Sequence, residues 1–116
     1  MAPAATAKKR IGITIGDCNG IGPELILRTL NAPNITRDLE LIIYGSSKVF
    51  QFYSDLLRLP ELEFTSIEDP GSVNGPSIYL IECLEEEAAI QPGSASKFSA
   101  TLAKNALERS AEHLKE

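Results

Sequence analysis

Residues 11–30, IGITIGDCNGIGPELILRTL, decide how this chain folds. Ile11, Ile13 and Ile15 recur at every second position, the period of a buried β-strand. Gly16, Asp17, Cys18, Asn19, Gly20, Ile21 and Gly22 follow, too rich in glycine and turn formers to continue a regular element. Pro23 comes next, and proline is best tolerated in the first turn of a helix, where its missing N–H costs nothing. Leu25, Ile26, Leu27 and Leu30 then place apolar side chains at helical spacing. The unit reads as strand, glycine-rich turn and helix N-terminus.

The first N–H groups of a helix lack partners inside it, and the helix dipole adds partial positive charge there. Glycine lets a phosphate or carboxylate approach the backbone, since no Cβ intervenes. Two readings of Gly16, Gly20 and Gly22 stand side by side: a ligand cradle, or a tight turn that packs helix against strand. The third glycine of the usual dinucleotide fingerprint is missing, because position 25 is leucine. Asp17 and Glu24 flank the turn and would repel an anion unless they face a hydroxyl or a cation. Ribose hydroxyls, a substrate ammonium or a protein lysine are natural partners.

Outward from this unit, the chain alternates. Leu39 to Tyr44 reads as a second buried strand, and Ser46 or Ser47 is placed to cap a helix from Lys48 to Leu59, stopped by Pro60. Val49, Phe52, Tyr53, Leu56 and Leu57 form its apolar face. Leu62 to Ile67 is a weaker strand, residues 69–76 a loop, and Ile78 to Cys83 a fourth strand. Glu82 and Glu85 to Glu87 read as a solvated acidic face. After the Pro92-Gly93 turn, Ser94 or Ser96 can cap a last helix whose stripe is Phe98, Leu102, Ala103, Ala106, Leu107 and Leu114. Strands and helices alternating with short joins predict a parallel α/β sheet.

Length allows one small domain, and a net charge of −5 without a basic stripe argues against nucleic acid as the main partner. Residues 1–10 are expected to be a disordered tail and residues 11–116 a partial α/β domain. The basic triplet Lys8, Lys9 and Arg10 is followed by no signal-peptide core, and no run reaches membrane-spanning length. Cys18 and Cys83 are too few for a disulfide framework, and Cys18 reads as a small filler of the turn. His113, the single histidine, reads as a solvated helix residue, and no catalytic or metal-ligating set can be assembled.

The string from Ile11 to Glu24 resembles the N-terminal signature of the 4-hydroxythreonine-4-phosphate dehydrogenases, enzymes of pyridoxal phosphate synthesis. The related isocitrate and isopropylmalate dehydrogenases carry a shorter Gly-Asp-Gly-Ile-Gly-Pro-Glu string. Cys18 departs from the pattern, which has proline there, and Ala100 stands where glycine is frequent. The run from Tyr44 to Val49 resembles the family's second strand and following helix. The resemblance implies a three-layer α/β/α fold of the isocitrate/isopropylmalate dehydrogenase type, with only the N-terminal portion present. It implies NAD or NADP and a divalent metal in the complete enzyme, a small phosphorylated amino-acid substrate, a homodimer and a cytoplasmic location. No nucleic acid or membrane partner is implied. Asp17, Asn19, Gly20, Ile21, Gly22 and Glu24 become the expected cofactor-side residues, with Gly22 serving the cofactor more than the fold. The metal ligands would lie beyond Glu116, so the isolated chain is expected to be inactive. A stand-alone nucleotide- or phosphate-binding module and a structural interaction domain are the alternatives.

Overall fold

A computed structural model describes residues 9–32, 39–83, 90, 92–93 and 96–114. Four strands, β1 (Lys9–Thr14), β2 (Leu39–Gly45), β3 (Thr65–Ser66) and β4 (Ser77–Glu82), alternate with the helices α1 (Gly22–Leu30), α2 (Ser47–Leu57) and α3 (Lys97–Leu114). A 3-10 turn, Pro70–Ser72, lies between β3 and β4. The strands form one sheet in the order β1-β2-β4-β3, and every neighbouring pair is parallel. The expected α/β class is what folds.

Parallel strands need crossovers, and these are right-handed almost without exception. The connections from β1 to β2 and from β2 to β3 run the same way across the sheet, which puts α1 and α2 on one face, where they touch each other. The connection from β3 back to β4 runs the other way, so the turn at residues 70–72 lies on the opposite face. There it shares a groove with the C-terminal part of α3, which packs over β2 and β1. With both faces covered, β2 is buried from Glu40 to Gly45, and Ile43, Leu80 and Ile81 are wholly inaccessible.

Several expectations change at the edges. β1 starts at Lys9, and Ile11 is 41% exposed instead of buried, because β1 is an outer strand. The buried part of that alternation is Ile15, just past the strand. α1 buries Leu27 and Leu30 but leaves Leu25 exposed. α3 buries Ser99, Leu102 and Ala106, whereas Leu107 and Leu114, expected in its stripe, face solvent. β3 shrinks to two paired residues, although Leu62 ahead of it is buried. Glu85 to Glu87 and Ser94 lie outside the described residues.

α2 ends before Pro60 acts. Arg58 adopts φ 55°, ψ 42°, and the N–H of Leu59 bonds to the carbonyl of Ser54 at 3.0 Å, closing the helix in the left-handed manner that usually calls for glycine. A side chain in that region strains against its own carbonyl. Arg58→Gly is therefore expected to raise unfolding free energy by about 1 kcal/mol, read from urea denaturation. Unchanged or lower stability would mean that the arginine side chain contributes something the bare backbone cannot.

His113 is not a solvated helix residue. Its Nδ1 lies 2.8 Å from the hydroxyl of Tyr44, and the two rings meet at 5.5 Å, tying α3 to the middle of the sheet.

Candidate functional site

The turn after β1 is built from short-range bonds. The N–H of Ile15 donates to Tyr44 O at 3.0 Å, extending the β1–β2 ladder by one residue. Gly16 then takes φ +70°, a conformation that frees the chain from the strand and favours glycine. The Asp17 carboxylate accepts the N–H of Asn19 at 2.9 Å, and the Asp17 carbonyl accepts the N–H of Gly20 at 3.0 Å. This is an Asx-type turn, the local chemistry that suits aspartate in such a place. α1 starts two residues later.

Neighbouring elements clamp this turn from two sides. From α2, the buried Tyr53 hydroxyl donates to the Cys18 carbonyl at 2.6 Å. From the other side, the N–H of Gly93 donates to the Asn19 carbonyl at 2.7 Å. The Asn19 carboxamide donates to Ser96 Oγ at 3.1 Å. That same Ser96 oxygen accepts the N–H of Ser99 at 3.1 Å, while Ser99 Oγ accepts the N–H of Ser96 at 3.3 Å. Ser96 thus caps α3 in a reciprocal box and anchors the turn at once.

The six expected cofactor-side residues separate into different roles. Asp17 and Ile21 are exposed, Ile21 at 72%, and Gly20 lies beside them. Asn19 is 3% exposed, with its side chain turned inward to Ser96. Glu24 bonds Arg28 at 2.8 Å one helical turn on, so its charge already has a cation. Gly22 meets a packing demand in this structure. A Cβ there would sit 2.8 Å from the Ile15 carbonyl oxygen, a backbone atom that cannot swing aside. Gly20 differs, since a Cβ would meet Asp17 at 3.5 Å, ordinary contact distance.

Two helix N-termini lie close together at this end of the sheet, and they are treated differently. At α2 the expected serine cap does not form; the Glu82 carboxylate accepts the N–H of Ser47 at 3.1 and 3.3 Å. Glu82 is thereby half-buried and committed, not part of a solvated acidic face. At α1 the N-cap is Ile21, which offers no side-chain acceptor. Glu24 places a carboxylate in the first turn of α1, while the helix's first N–H groups gain no acceptor from the Ile21 side chain.

Both cysteines are buried thiols. Burial, with the Asp17 charge second, pushes the Cys18 thiol up; burial pushes Cys83 up to about 11. Burial also raises the Tyr53 phenol, with smaller contributions from Cys18 and Asp17. Cys18 acts here as filler under the turn. Among the described residues, no three His, Cys, Asp or Glu side chains converge to hold a metal ion, and no helix is long and apolar enough to cross a membrane.

Tyr53, Ser96 and Glu82 carry the site's framework, and the sequence reading assigned none of them to it. Only Ser96 gave a signal, as a candidate cap next to the Pro92-Gly93 turn.

No family model matches the chain. A curated relative, the 4-hydroxythreonine-4-phosphate dehydrogenase of Bacteroides thetaiotaomicron, is 31% identical over 109 residues, which is 94% of this chain and 30% of that enzyme. A Burkholderia phymatum 4-hydroxythreonine-4-phosphate dehydrogenase superposes with TM-score 0.80 at 21% identity over 94% of this chain and 33% of its own. A Salmonella typhimurium chain solved as a candidate 4-hydroxythreonine-4-phosphate dehydrogenase gives TM-score 0.73 at 26% identity over 91% of this chain and 33% of its own. The chain spans about a third of the length of the relatives it matches.

Proposed function

The chain is a partial homologue of the 4-hydroxythreonine-4-phosphate dehydrogenases, and from that premise we propose that it forms the cofactor-side wall of such an enzyme. The observation that carries the reading is the uncapped start of α1 on a turn clamped by Tyr53 and Ser96. Rigid placement of an open helix N-terminus is what a binding wall needs.

The residues present fit one part of NAD better than another. Asp17, exposed beside the turn, suits ribose hydroxyls, and the projecting Ile21 offers an apolar surface for a flat ring. A pyrophosphate fits less well, because Asp17 and Glu24 both add negative charge near the α1 start. NAD, or NADP, accepts hydride from the substrate when bound. This chain's residues orient the cofactor and exclude water on one side. The substrate would be a small phosphorylated hydroxy amino acid. No divalent-metal ligand set is found among the described residues, so no metal step is derived from them. A homodimer in the cytoplasm completes the reading.

On its own the 116-residue chain is expected to show no NAD reduction with 4-hydroxythreonine 4-phosphate and any divalent metal. Turnover that survives purification would overturn the partial-enzyme reading. The wall itself is tested by completing the chain with the remainder of the Bacteroides thetaiotaomicron relative and replacing Ile21 by alanine. Because Ile21 is exposed, its loss should leave the melting temperature unchanged while raising KM for NAD about threefold to tenfold, at most about 1.4 kcal/mol. An unchanged KM in an active completed enzyme would leave the turn with a packing role alone.

A further inference from the structure

Ligand crevices in open parallel sheets lie outside the carboxyl ends of two adjacent strands whose outgoing connections leave to opposite faces. Here those strands are β2 and β4. β2 leads into α2, and β4 leads on to α3, which lies on the other face. Side chains at the strand ends follow the same division. Tyr44 meets His113 of α3, whereas Glu82, the register partner of Gly45, turns to the start of α2. Ile81, the register partner of Tyr44, therefore faces the α3 side.

On that side a groove of about 880 Å³ opens between α3 and the chain that leaves β3. Its volume falls within the range of small-molecule pockets. Ile67 and Ile81 supply apolar surface, Glu68 and Asp69 supply carboxylates, and Arg109 comes from α3. Asn105, one turn earlier on α3, donates to the Cys83 carbonyl at 3.1 Å and so holds this part of the helix to the end of β4. Arg109 is half-buried and makes no hydrogen bond or ion pair among the described residues. Glu68 likewise pairs with none of them, and Asp69 accepts the N–H of Gly71 at 2.6 Å with one carboxylate oxygen. A divalent cation does not suit the groove, since no three ligating side chains converge among the described residues and Arg109 adds positive charge. A nucleotide does not suit it either, because Glu68, Asp69 and Glu82 would repel a polyanion. One positive and two negative groups beside apolar surface match a small zwitterion. We propose that this groove binds a free, unphosphorylated α-amino acid, its carboxylate on Arg109 and its ammonium against Glu68 and Asp69. Arginine suits that carboxylate because its planar fork donates two parallel hydrogen bonds. The site is independent of the reading of the glycine-rich turn as a cofactor wall.

The test titrates the 116-residue chain with L-valine and with L-threonine and follows its amide chemical shifts. Saturable shifts are expected at Glu68, Asp69 and Arg109, with a dissociation constant of about 1 mM or below and with residues 16–22 unmoved. Acetate and ethylamine, each carrying one of the two charges, should bind at least about tenfold more weakly. Arg109→Met keeps the apolar length of the side chain and should weaken binding about tenfold or more. Glu68→Gln removes one negative charge from the other wall and should weaken it independently. Because Glu68 is exposed and Arg109 is unbonded, both variants should keep the parent's melting temperature. The absence of saturable shifts up to about 10 mM amino acid overturns the proposal. So does undiminished binding to Arg109→Met, or equal binding of acetate. Shifts confined to residues 16–22 overturn it too, assigning the ligand to the turn. Tighter binding of O-phospho-L-threonine than of L-threonine also overturns it, assigning the groove to a phosphorylated ligand.

Discussion

Gly22→Val is expected to destabilise the fold by about 2–3 kcal/mol, the upper range for overpacking a filled site. The added Cβ alone would lie 2.8 Å from the Ile15 carbonyl oxygen, and valine's two methyl groups would crowd the first turn of α1 further. Relief requires α1 to lift from the end of β1, which loosens the packing of Leu27 and Leu30. Thermal unfolding of the variant should show a fall of about 10 °C. Gly20→Ala is the matched control, since its Cβ meets Asp17 at 3.5 Å and Gly20 is not among the glycines with positive φ. It should stay within about 0.5 kcal/mol of the parent. In a completed enzyme the roles would reverse, and a rise in KM for NAD caused by Gly20→Ala would place the ligand against that backbone. A Gly22→Val protein that melts normally would overturn the packing assignment.

Phe50→Ala should cost more, about 3–5 kcal/mol. Phe50 is 2% exposed and is the largest of the fully buried side chains, on the face of α2 that also buries Val49, Tyr53 and Ser54. Its removal leaves a cavity in the core cluster it shares with Ile43 and Leu80, whose strands are fixed in a parallel ladder. A domain of this size has about 5–15 kcal/mol in hand, so the variant should be substantially unfolded in mild urea. A loss below 1 kcal/mol would show that α2 can slide inward.

Leu39 to Tyr44 was legible because a central strand buries both faces, so its sequence is continuously apolar. The turn was legible because Gly16 takes a positive φ that few other residues accept and Pro23 suits the first turn of a helix. The ends of α2 and α3 were not. Helix periodicity cannot distinguish a residue facing a sheet from one facing water beyond the sheet's edge, which is why Leu107 and Leu114 were misplaced. Arg58 could not be foreseen as a helix stop, because arginine is an ordinary helix former. Glu82 and His113 were misread for a shared reason. Each finds its partner on an element remote in sequence, Ser47 for one and Tyr44 for the other.

The bond between Asn19 and Ser96 spans 77 residues. Closing so long a loop costs more chain entropy than pairing β1 with β2 or docking α1 against α2. The clamp on the glycine-rich turn should therefore form after the rate-limiting step of folding. Asn19→Ala and Ser96→Ala would then speed unfolding while leaving the refolding rate almost unchanged, the signature of a φ-value near zero. The tie between the turn and α3 would be the last of these contacts to form and the first to break.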